Sequence, residues 1–155
     1  MDRPLVAAAV RRMLDADGAV VHVGATTHQG VHGDDPLPCP RPPAGAIDRL
    51  VQRYLGPERR AGRGVRDAVT FGHDDDVYLA AGFEGSQRYE VPGRVVERTV
   101  DQVVASVYSL SYSTPHLFGD RLTAFDGQLR QLLTDASDEG RFAEQMPPIT
   151  LRVWR

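Results

Sequence analysis

The residues best suited to chemistry follow a short apolar segment, AVVHV at 19–23. His28 comes soon after it, and imidazole, with an ordinary pKa of about 6.5, suits proton transfer near neutral pH. His28 and His32 stand four residues apart, a spacing that binds zinc when both lie on one helix face. Residues 25–45 show no helical period, however, and a glycine- and proline-rich loop does not preorganise metal ligands. We therefore treat His28 as a candidate general base and expect no metal site.

Other reactive groups are excluded by composition or spacing. All 18 basic residues are arginine, so this chain carries no lysine for a Schiff base or a phosphate-binding loop. Ser109, Ser111 and Ser113 alternate, so they cannot share one face of a helix, and no G-x-S-x-G motif surrounds them. Serine nucleophiles and lysine chemistry are therefore not expected.

The bulk properties are those of one soluble domain. A chain of 155 residues corresponds to about one domain. Its net charge of −3 favours neither nucleic acid nor an anionic membrane as a partner. No apolar run approaches the roughly 18–20 residues of a membrane span. Cys39 is the single cysteine, which suits a cytoplasmic protein without an intrachain disulfide.

Helical periods and breakers predict the elements of the first half. A helix is expected from Pro4 to a left-handed end at Gly18, followed by a strand over 19–23 whose apolar run indicates burial on both faces. His22 interrupts this strand and is interpreted as a hydrogen-bonded core residue. Further helices are predicted over 46–56 and 73–83, where Gly56 and Gly82 supply the stops.

The second half is predicted in the same way. Residues 83–99 alternate and indicate an extended stretch bent at Pro92–Gly93. Thr99 and Gln102 form a capping box that opens a helix ended by Pro115. A second amphipathic helix and a closing strand at 149–155 follow. The helix carries the apolar residues Phe118, Leu122, Phe125, Leu129, Leu132 and Leu133.

Taken in order, four segments resemble the C-terminal half of a class I S-adenosylmethionine-dependent methyltransferase of the small-molecule type 11 kind. They are VRRMLDADGAVVHV (10–23), AAGF (80–83), RTVDQVVASVYSLSYSTP (98–115) and GRFAEQMPPITLRVWR (140–155). They resemble the family's "RVLRPGG" segment with its apolar strand, the next helix–strand step, the late helix and the closing strand. The resemblance implies an α/β fold: a partial Rossmann-like sheet of about three strands, the last one antiparallel, with helices packed on it in a single domain spanning 1–155.

The resemblance also implies a reaction. S-adenosylmethionine would be the cofactor, without a metal, and a small molecule would accept the methyl group. The acceptor side of this fold is built from the loop after the 19–24 strand and from the late helices. This implies His28 as the general base and Gln29, Tyr108, Tyr112 and His116 as the lining of an acceptor pocket. The alternative is that His28 is a solvated loop residue and Tyr108 a core residue.

The donor site has no counterpart in the chain. In this family the donor rests on a glycine-rich turn after the first strand, where backbone must approach it closely. Here Gly62-Arg-Gly64 is a bare GxG with no strand predicted before it. MDRP (1–4) also resembles the inside of a family segment that reads HW-x-D-R-P. We therefore expect the cofactor-binding half to be absent, as in a truncated or mis-started product or the remnant of a split gene.

Two alternatives remain open. A sheet that lacks its first four strands has an unpaired edge along 19–24, and such edges invite pairing with another chain. The chain would then be a non-catalytic interaction module, paired with a homodimer mate or with a separate cofactor-binding subunit. If the family resemblance is chance, the chain would be an unrelated small α/β binding protein. No nucleic-acid or membrane partner is expected in any of these cases.

Overall fold

The computed structural model describes residues 2–24, 29–31, 33, 35–57, 60–61, 64–65 and 74–155. The chain divides into two compact units. The first comprises Met1–Ala25, Val69–Gly93 and Pro148–Arg155, and the second comprises Thr26–Ala68 and Arg94–Pro147. The expectation that residues 1–155 form a single domain stays a prediction.

The first unit is built on a three-stranded sheet. It contains α1 (Arg3–Met13), β1 (Val20–Gly24), α3 (Asp74–Ala80), β4 (Gln87–Val91) and β7 (Ile149–Trp154). The strand order is β1-β7-β4, and β7 runs antiparallel to both neighbours. β1 and β4 therefore run in the same sense on either side of the C-terminal strand. The predicted strand over 19–24 and the closing strand are confirmed as antiparallel neighbours.

Helix α1 begins as predicted but ends earlier. The side chain of Asp2 caps it by accepting a hydrogen bond from the backbone N–H of Leu5 (3.1 Å). The helix ends at Met13, because Leu14 takes an extended conformation. Gly18 has no positive φ, so the prediction that it ends the helix in a left-handed conformation is wrong.

The prediction that β1 is buried on both faces is also wrong. None of its residues is buried, and Val21 and Val23 are 51% and 66% exposed. Successive side chains of a strand point to opposite faces. His22 and its neighbour across the register, Arg152, lie on the other face, where Trp154 of β7 is fully buried. An apolar strand sequence is therefore not sufficient evidence that both faces of the strand are buried.

The second unit is mainly helical. It contains α2 (Ala44–Leu55), α4 (Val100–Tyr108), 3-10 turns at Pro115–Leu117 and Gly119–Arg121, and α5 (Leu122–Ala136). Two antiparallel strand pairs accompany them: β5 (Val95–Thr99) with β6 (Arg141–Gln145), and β2 (Arg60–Ala61) with β3 (Gly64–Val65). The core is apolar and is formed by Ile47, Leu50, Val51, Val103, Val104, Val107, Phe118, Phe125, Leu129, Leu133 and Phe142.

Local signals in the second unit were predicted well. Gly56 ends α2 with φ +84°, a conformation that favours glycine. The Thr99–Gln102 capping box is present with both of its hydrogen bonds. Helix α4, however, ends at Tyr108 rather than at Pro115. The closing strand predicted over 149–155 is confirmed as β7. The earlier part of the segment 140–155, which the resemblance assigned to the same closing strand, forms β6 in another sheet.

The fold class is α/β, with helices and antiparallel sheets of three and two strands. Every strand pair among the described residues is antiparallel. The β4 and β5 strands flank Pro92–Gly93, as the predicted bend requires. Among the residues that the structure describes, no helix has both the length and the apolar character needed to cross a membrane.

Candidate functional site

A small cavity lies in the second unit, where the segment before α2 meets α2, α4 and β6. Its volume is about 50 Å³, several times the roughly 10–15 Å³ that one water molecule needs on the same measure. One wall is apolar, with Ile47, Val51, Val103, Val107 and Leu110. The polar side chains that line it are Gln29, Asp48, Ser106, Tyr112, Ser113 and Glu144.

Strand β6 holds the segment that carries Gln29. One edge of β6 pairs with β5. Two backbone hydrogen bonds, one in each direction, join the other edge to this segment. The N–H of Val31 donates to the carbonyl oxygen of Gln145 (2.8 Å). The N–H of Ala143 donates to the carbonyl oxygen of Pro40 (3.0 Å). The loop is therefore docked along the strand, and Gln29 is fixed at the cavity wall.

Gly30 makes this docking possible. A Cβ at position 30 would lie 2.7 Å from the carbonyl oxygen of Gln145 and 2.9 Å from the Cβ of Glu144. Both neighbours belong to β6 and cannot move freely. The absence of a side chain therefore lets the loop backbone approach the strand.

Glu144 is the central charged group of the site. It is buried, and its Oε1 accepts a hydrogen bond from the N–H of Gly30 (2.8 Å). Its Oε2 accepts from Nε of Arg98 (2.7 Å). The guanidinium is itself mostly buried, so the pair neutralises the carboxylate away from solvent. Glu144 thus serves to anchor the loop and one cavity wall.

The two serines turn acceptor oxygens toward the cavity. The hydroxyl of Ser106 donates to the carbonyl oxygen of Val103 (2.7 Å), and that of Ser113 donates to the carbonyl oxygen of Val107 (2.5 Å). A hydroxyl has one donor hydrogen and two acceptor lone pairs. Because both hydrogens are used within the helix region, the oxygens can only accept from a bound group. No lysine, arginine or histidine is among the described residues that line the cavity, so the site suits a hydrogen-bond donor.

Only some of the predicted pocket residues line this cavity. Gln29 and Tyr112 line the same cavity. Tyr108 lies outside it: its ring packs edge-on against Phe118 (6.2 Å between centroids), and its hydroxyl donates to Asp126 (3.0 Å). Burial, reinforced by the hydrogen bond to Asp126 and by its charge, raises the pKa of Tyr108 to about 12.

The two candidate histidines do not line the cavity either. His116 is exposed in the 3-10 turn Pro115–Leu117, and His28 lies outside the described residues. His32, whose spacing from His28 was considered above as a zinc pattern, also lies outside them. Within the described residues, no three His, Cys, Asp or Glu side chains group to hold a metal ion.

His22, in the first unit, is hydrogen-bonded as predicted. Its Nε2 lies 2.8 Å from the hydroxyl oxygen of Tyr78, and its Nδ1 lies 3.6 Å from a carboxylate oxygen of Asp74. Its ring stands edge-on to Trp154 at 4.7 Å. The side chain is nonetheless 40% exposed, so this is a partnered surface group rather than a core residue.

Four polar residues of the cavity were not predicted from the sequence: Asp48, Ser106, Ser113 and Glu144. Glu144 stands two residues after the buried Phe142 in β6, so both share one face of the strand. Ser106 stands three residues after Val103, on the buried side of α4. In both cases a polar residue stands where the periodicity of the strand or helix predicts a buried apolar one, and this is the sequence pattern that indicates the cavity.

The described residues do not fit S-adenosylmethionine. Sites for ligands of that size occupy about 300–1,000 Å³, and the cavity is far smaller. A more open recess has a volume of about 370 Å³. Pro38–Pro40 and the end of α5 line it, together with the charged side chains of Asp135, Asp138, Glu139 and Arg141. Neither has a glycine-rich turn after a strand, on which donor binding in the resembled family depends. No chemical step through the donor is therefore assigned to these residues.

Comparison of the chain with protein-family models, with curated proteins and with solved structures found no match. A fold by itself hosts many functions, so function follows from the site. The cavity between Gln29, α4 and β6 is the part of the described chain that best supports a chemical role.

Proposed function

We propose that this chain supplies the acceptor-binding part of an S-adenosylmethionine-dependent methyltransferase-like protein that acts on a small molecule in the cytoplasm. One observation carries the proposal. Gln29, in the loop after β1, and the late helix α4 line one cavity. These are the two parts of the chain from which the resemblance builds the acceptor side. The cytoplasmic location is supported by the single cysteine.

The sheet of the first unit supports the same proposal. The resemblance leads us to expect the C-terminal strand beside the 19–24 strand and in the reverse sense. Val20 is paired with Trp154 and Gly24 with Thr150 in that antiparallel register. A chance likeness would not require these two distant segments to be neighbours.

The lining of the cavity indicates the class of acceptor. Ser106 and Ser113 offer acceptor oxygens, and Asp48 and Glu144 are acidic, although Arg98 already pairs with Glu144. A hydroxyl or an amine would donate to the oxygens of Ser106 and Ser113, whereas a carboxylate, which only accepts, would find no donor in these two serines. We propose an acceptor with an amine or hydroxyl group on an apolar stem that rests against Val103 and Val107.

The donor would be held by polypeptide outside these 155 residues. His28 stays the candidate base, on its position after β1. Calorimetric titration with S-adenosylmethionine is expected to give no saturable heat with this chain alone. Stoichiometric binding would contradict the assignment of the donor to other polypeptide.

The experiment that tests the acceptor class compares three molecules of equal stem length. Propan-1-amine, propan-1-ol and propanoate are titrated into the ¹⁵N-labelled chain and followed by NMR. We expect the amine and the alcohol to bind with dissociation constants of about 1–10 mM, as suits four heavy atoms, and propanoate to bind at least about tenfold more weakly. Equal binding of all three, or binding of propanoate alone, would overturn the proposed class.

A second function is favoured by β1 itself. β1 pairs with β7 only and ends the described sheet, and its sequence VVHVG contains no acidic residue, lysine or arginine. We propose, as the alternative, a non-catalytic interaction module that pairs with a homodimer mate or a separate cofactor-binding subunit through β1. Free strand edges without charges are the ones that accept another strand.

A further inference from the structure

A second, smaller cavity lies beside the acceptor cavity in the second unit. Its volume is about 10 Å³, at the lower end of the roughly 10–15 Å³ that one water molecule needs. We call it the side cavity, and it is lined by Asp48, Val51, Gln52, Leu55, Gly56, Pro57 and Tyr112. Three of these residues, Asp48, Val51 and Tyr112, also line the acceptor cavity. The two cavities therefore have a common wall.

Helix α2 faces both cavities with one continuous stripe of residues. The acceptor cavity is lined by Ala44, Ile47, Asp48 and Val51 of this helix, and the side cavity by Asp48, Val51, Gln52 and Leu55. Each set has the spacing of one helix face, and the second set is the first shifted by four residues. Such a shift corresponds to a rise of about 6 Å along the axis. The side cavity therefore follows the acceptor cavity toward the C-terminal end of α2.

Tyr112 has the largest side chain of the three residues in the common wall. Val51 is buried in the core of the unit, and Asp48 stands on the same helix. Tyr112 lies instead in the connection between α4 and the 3-10 turn Pro115–Leu117, and its side chain is partly buried against the core. Removing its ring would therefore open the common wall without emptying a fully buried position of the core.

The size of the acceptor cavity sets the length of the stem that it can cover. Its 50 Å³ corresponds to about four positions of the size of a water molecule, which matches the four heavy atoms of propan-1-amine. In the proposed acceptor the polar group meets Ser106 and Ser113, and the stem rests against Val103 and Val107. A longer stem that follows the stripe of α2 would meet the ring of Tyr112.

We infer that Tyr112 closes the acceptor cavity against the side cavity and thereby limits the length of the alkyl stem that the acceptor can bury. Tyr112 is then a specificity-determining residue, and it excludes acceptors whose stem is several carbons longer. This inference rests on the proposed acceptor cavity and adds its selectivity for length.

A series of straight-chain amines measures the limit. Propan-1-amine, butan-1-amine, pentan-1-amine and hexan-1-amine are titrated into the full ¹⁵N-labelled chain, and NMR follows the side-chain amide of Gln29. Each methylene that becomes buried should tighten binding by about fourfold. In the wild type, hexan-1-amine should bind within about twofold of propan-1-amine, because the added carbons are not buried. In Tyr112→Ala, hexan-1-amine should bind at least about tenfold more tightly than propan-1-amine.

The matched control is Leu110→Ala. Leu110 is also partly buried in the connection after α4, and it lines the acceptor cavity but is not among the described residues that line the side cavity. This variant should weaken the binding of all four amines by a similar factor and keep the length limit of the wild type.

Two further variants at position 112 test the ring itself. Tyr112→Phe keeps the ring and should keep the limit. Tyr112→Leu is a smaller change than Tyr112→Ala and should show part of the gain for hexan-1-amine, so it tests the same opening if the alanine variant does not fold. Circular dichroism verifies the fold of every variant.

The possible failures are distinguishable. If folded Tyr112→Ala and Tyr112→Leu keep the length dependence of the wild type, Tyr112 does not set the limit, although the acceptor cavity stands. A gain of about fourfold per methylene in the wild type, or the same gain in Leu110→Ala as in Tyr112→Ala, would also overturn the limit. If no amine of any length shifts the Gln29 signal, the proposed acceptor class and the length limit are both wrong.

Discussion

The backbone N–H of Gly30 donates a hydrogen bond of 2.8 Å to the carboxylate of Glu144, across 114 positions of sequence. This bond and the one between Val31 and Gln145 tie the loop after β1 to β6. Gln29 precedes this tie directly, so the acceptor cavity depends on the close approach at Gly30. The hydrogen bond between Gly30 and Glu144 therefore fixes the position of the loop on which the proposed acceptor cavity depends.

Replacing Gly30 with alanine should damage both stability and the cavity. The new Cβ would lie 2.7 Å from the carbonyl oxygen of Gln145, so the loop must move off the strand. We expect a loss of about 1–3 kcal/mol in the free energy of unfolding, measured by urea denaturation, and loss of propan-1-amine binding.

The matched control is Gly127→Ala. A Cβ at Gly127, in the interior of α5, meets nothing within 4 Å. Alanine there should stabilise the chain by about 0.5–1 kcal/mol and leave binding unchanged. If Gly30→Ala were as well tolerated as Gly127→Ala, the docked loop would be wrong.

The Arg98–Glu144 pair should be strongly coupled. Arg98→Met and Glu144→Leu each break this mostly buried ion pair, so we expect each single variant to lose about 2–4 kcal/mol. The double variant Arg98→Met/Glu144→Leu should lose less than the sum of the single variants, because no charge is then left buried. Denaturation of all four proteins measures the coupling, and strictly additive losses would contradict it.

Asp75 should set part of the acid stability of the first unit. A hydrogen bond from Ser86, helped by those from Trp154 (2.8 Å) and Arg152 (2.6 Å), lowers its pKa below the ordinary value of 3.8. Its contribution is therefore present above pH 3.8 and is lost as the pH falls through the lowered pKa. Thermal unfolding from pH 6 down to about pH 2 should show this loss.

Substitution at Asp75 separates its charge from its hydrogen bonds. Asp75→Ala leaves the indole N–H of the buried Trp154 without this acceptor and should cost about 1–3 kcal/mol. Asp75→Asn keeps an acceptor oxygen, so it should lose less free energy of unfolding than Asp75→Ala. Because it has no carboxylate to protonate, its stability should fall less steeply between pH 6 and about pH 2. An unchanged fall in stability over this pH range in Asp75→Asn would mean that this carboxylate does not titrate as described.

The hydroxyl of Tyr108 should ionise at a higher pH than an ordinary tyrosine. Burial and Asp126 raise its pKa to about 12 from 10.0, so its contribution to stability is complete below pH 10 and is lost as the pH rises toward 12. Ultraviolet titration of the wild type against Tyr108→Phe isolates its ionisation. Tyr108→Phe should cost about 1 kcal/mol and leave propan-1-amine binding intact, whereas loss of binding would place Tyr108 in the acceptor site.

The elements that were predicted correctly rest on neighbouring residues. The capping box of Thr99 and Gln102 and the stop at Gly56 involve contacts within a few positions. The pairing of β1 with β7 needed the family resemblance as well. The β5–β6 pair was missed, because nothing near Arg141–Gln145 indicates that its partner lies more than forty positions earlier.

The site was predictable only in part for the same reason. Gln29 was named from its place after the strand and Tyr112 from the late helix region, and both line the cavity. Glu144 was not named. Its spacing from Phe142 marks it as a polar residue on a buried face, but its role depends on Gly30 and Arg98, which are distant in sequence. The exposure of Val21 and Val23 was missed because an apolar strand looks alike whether its cover is present or not.

The most direct test of the acceptor cavity follows two side chains in one titration. Propan-1-amine is added to the labelled chain while NMR records the side-chain amide of Gln29 and the ring of Tyr112. If one cavity binds the amine, both signals shift with one dissociation constant, and neither His116 nor Tyr108 shifts. Shifts at His116 or Tyr108 without Gln29, or different dissociation constants for Gln29 and Tyr112, would contradict a single acceptor cavity.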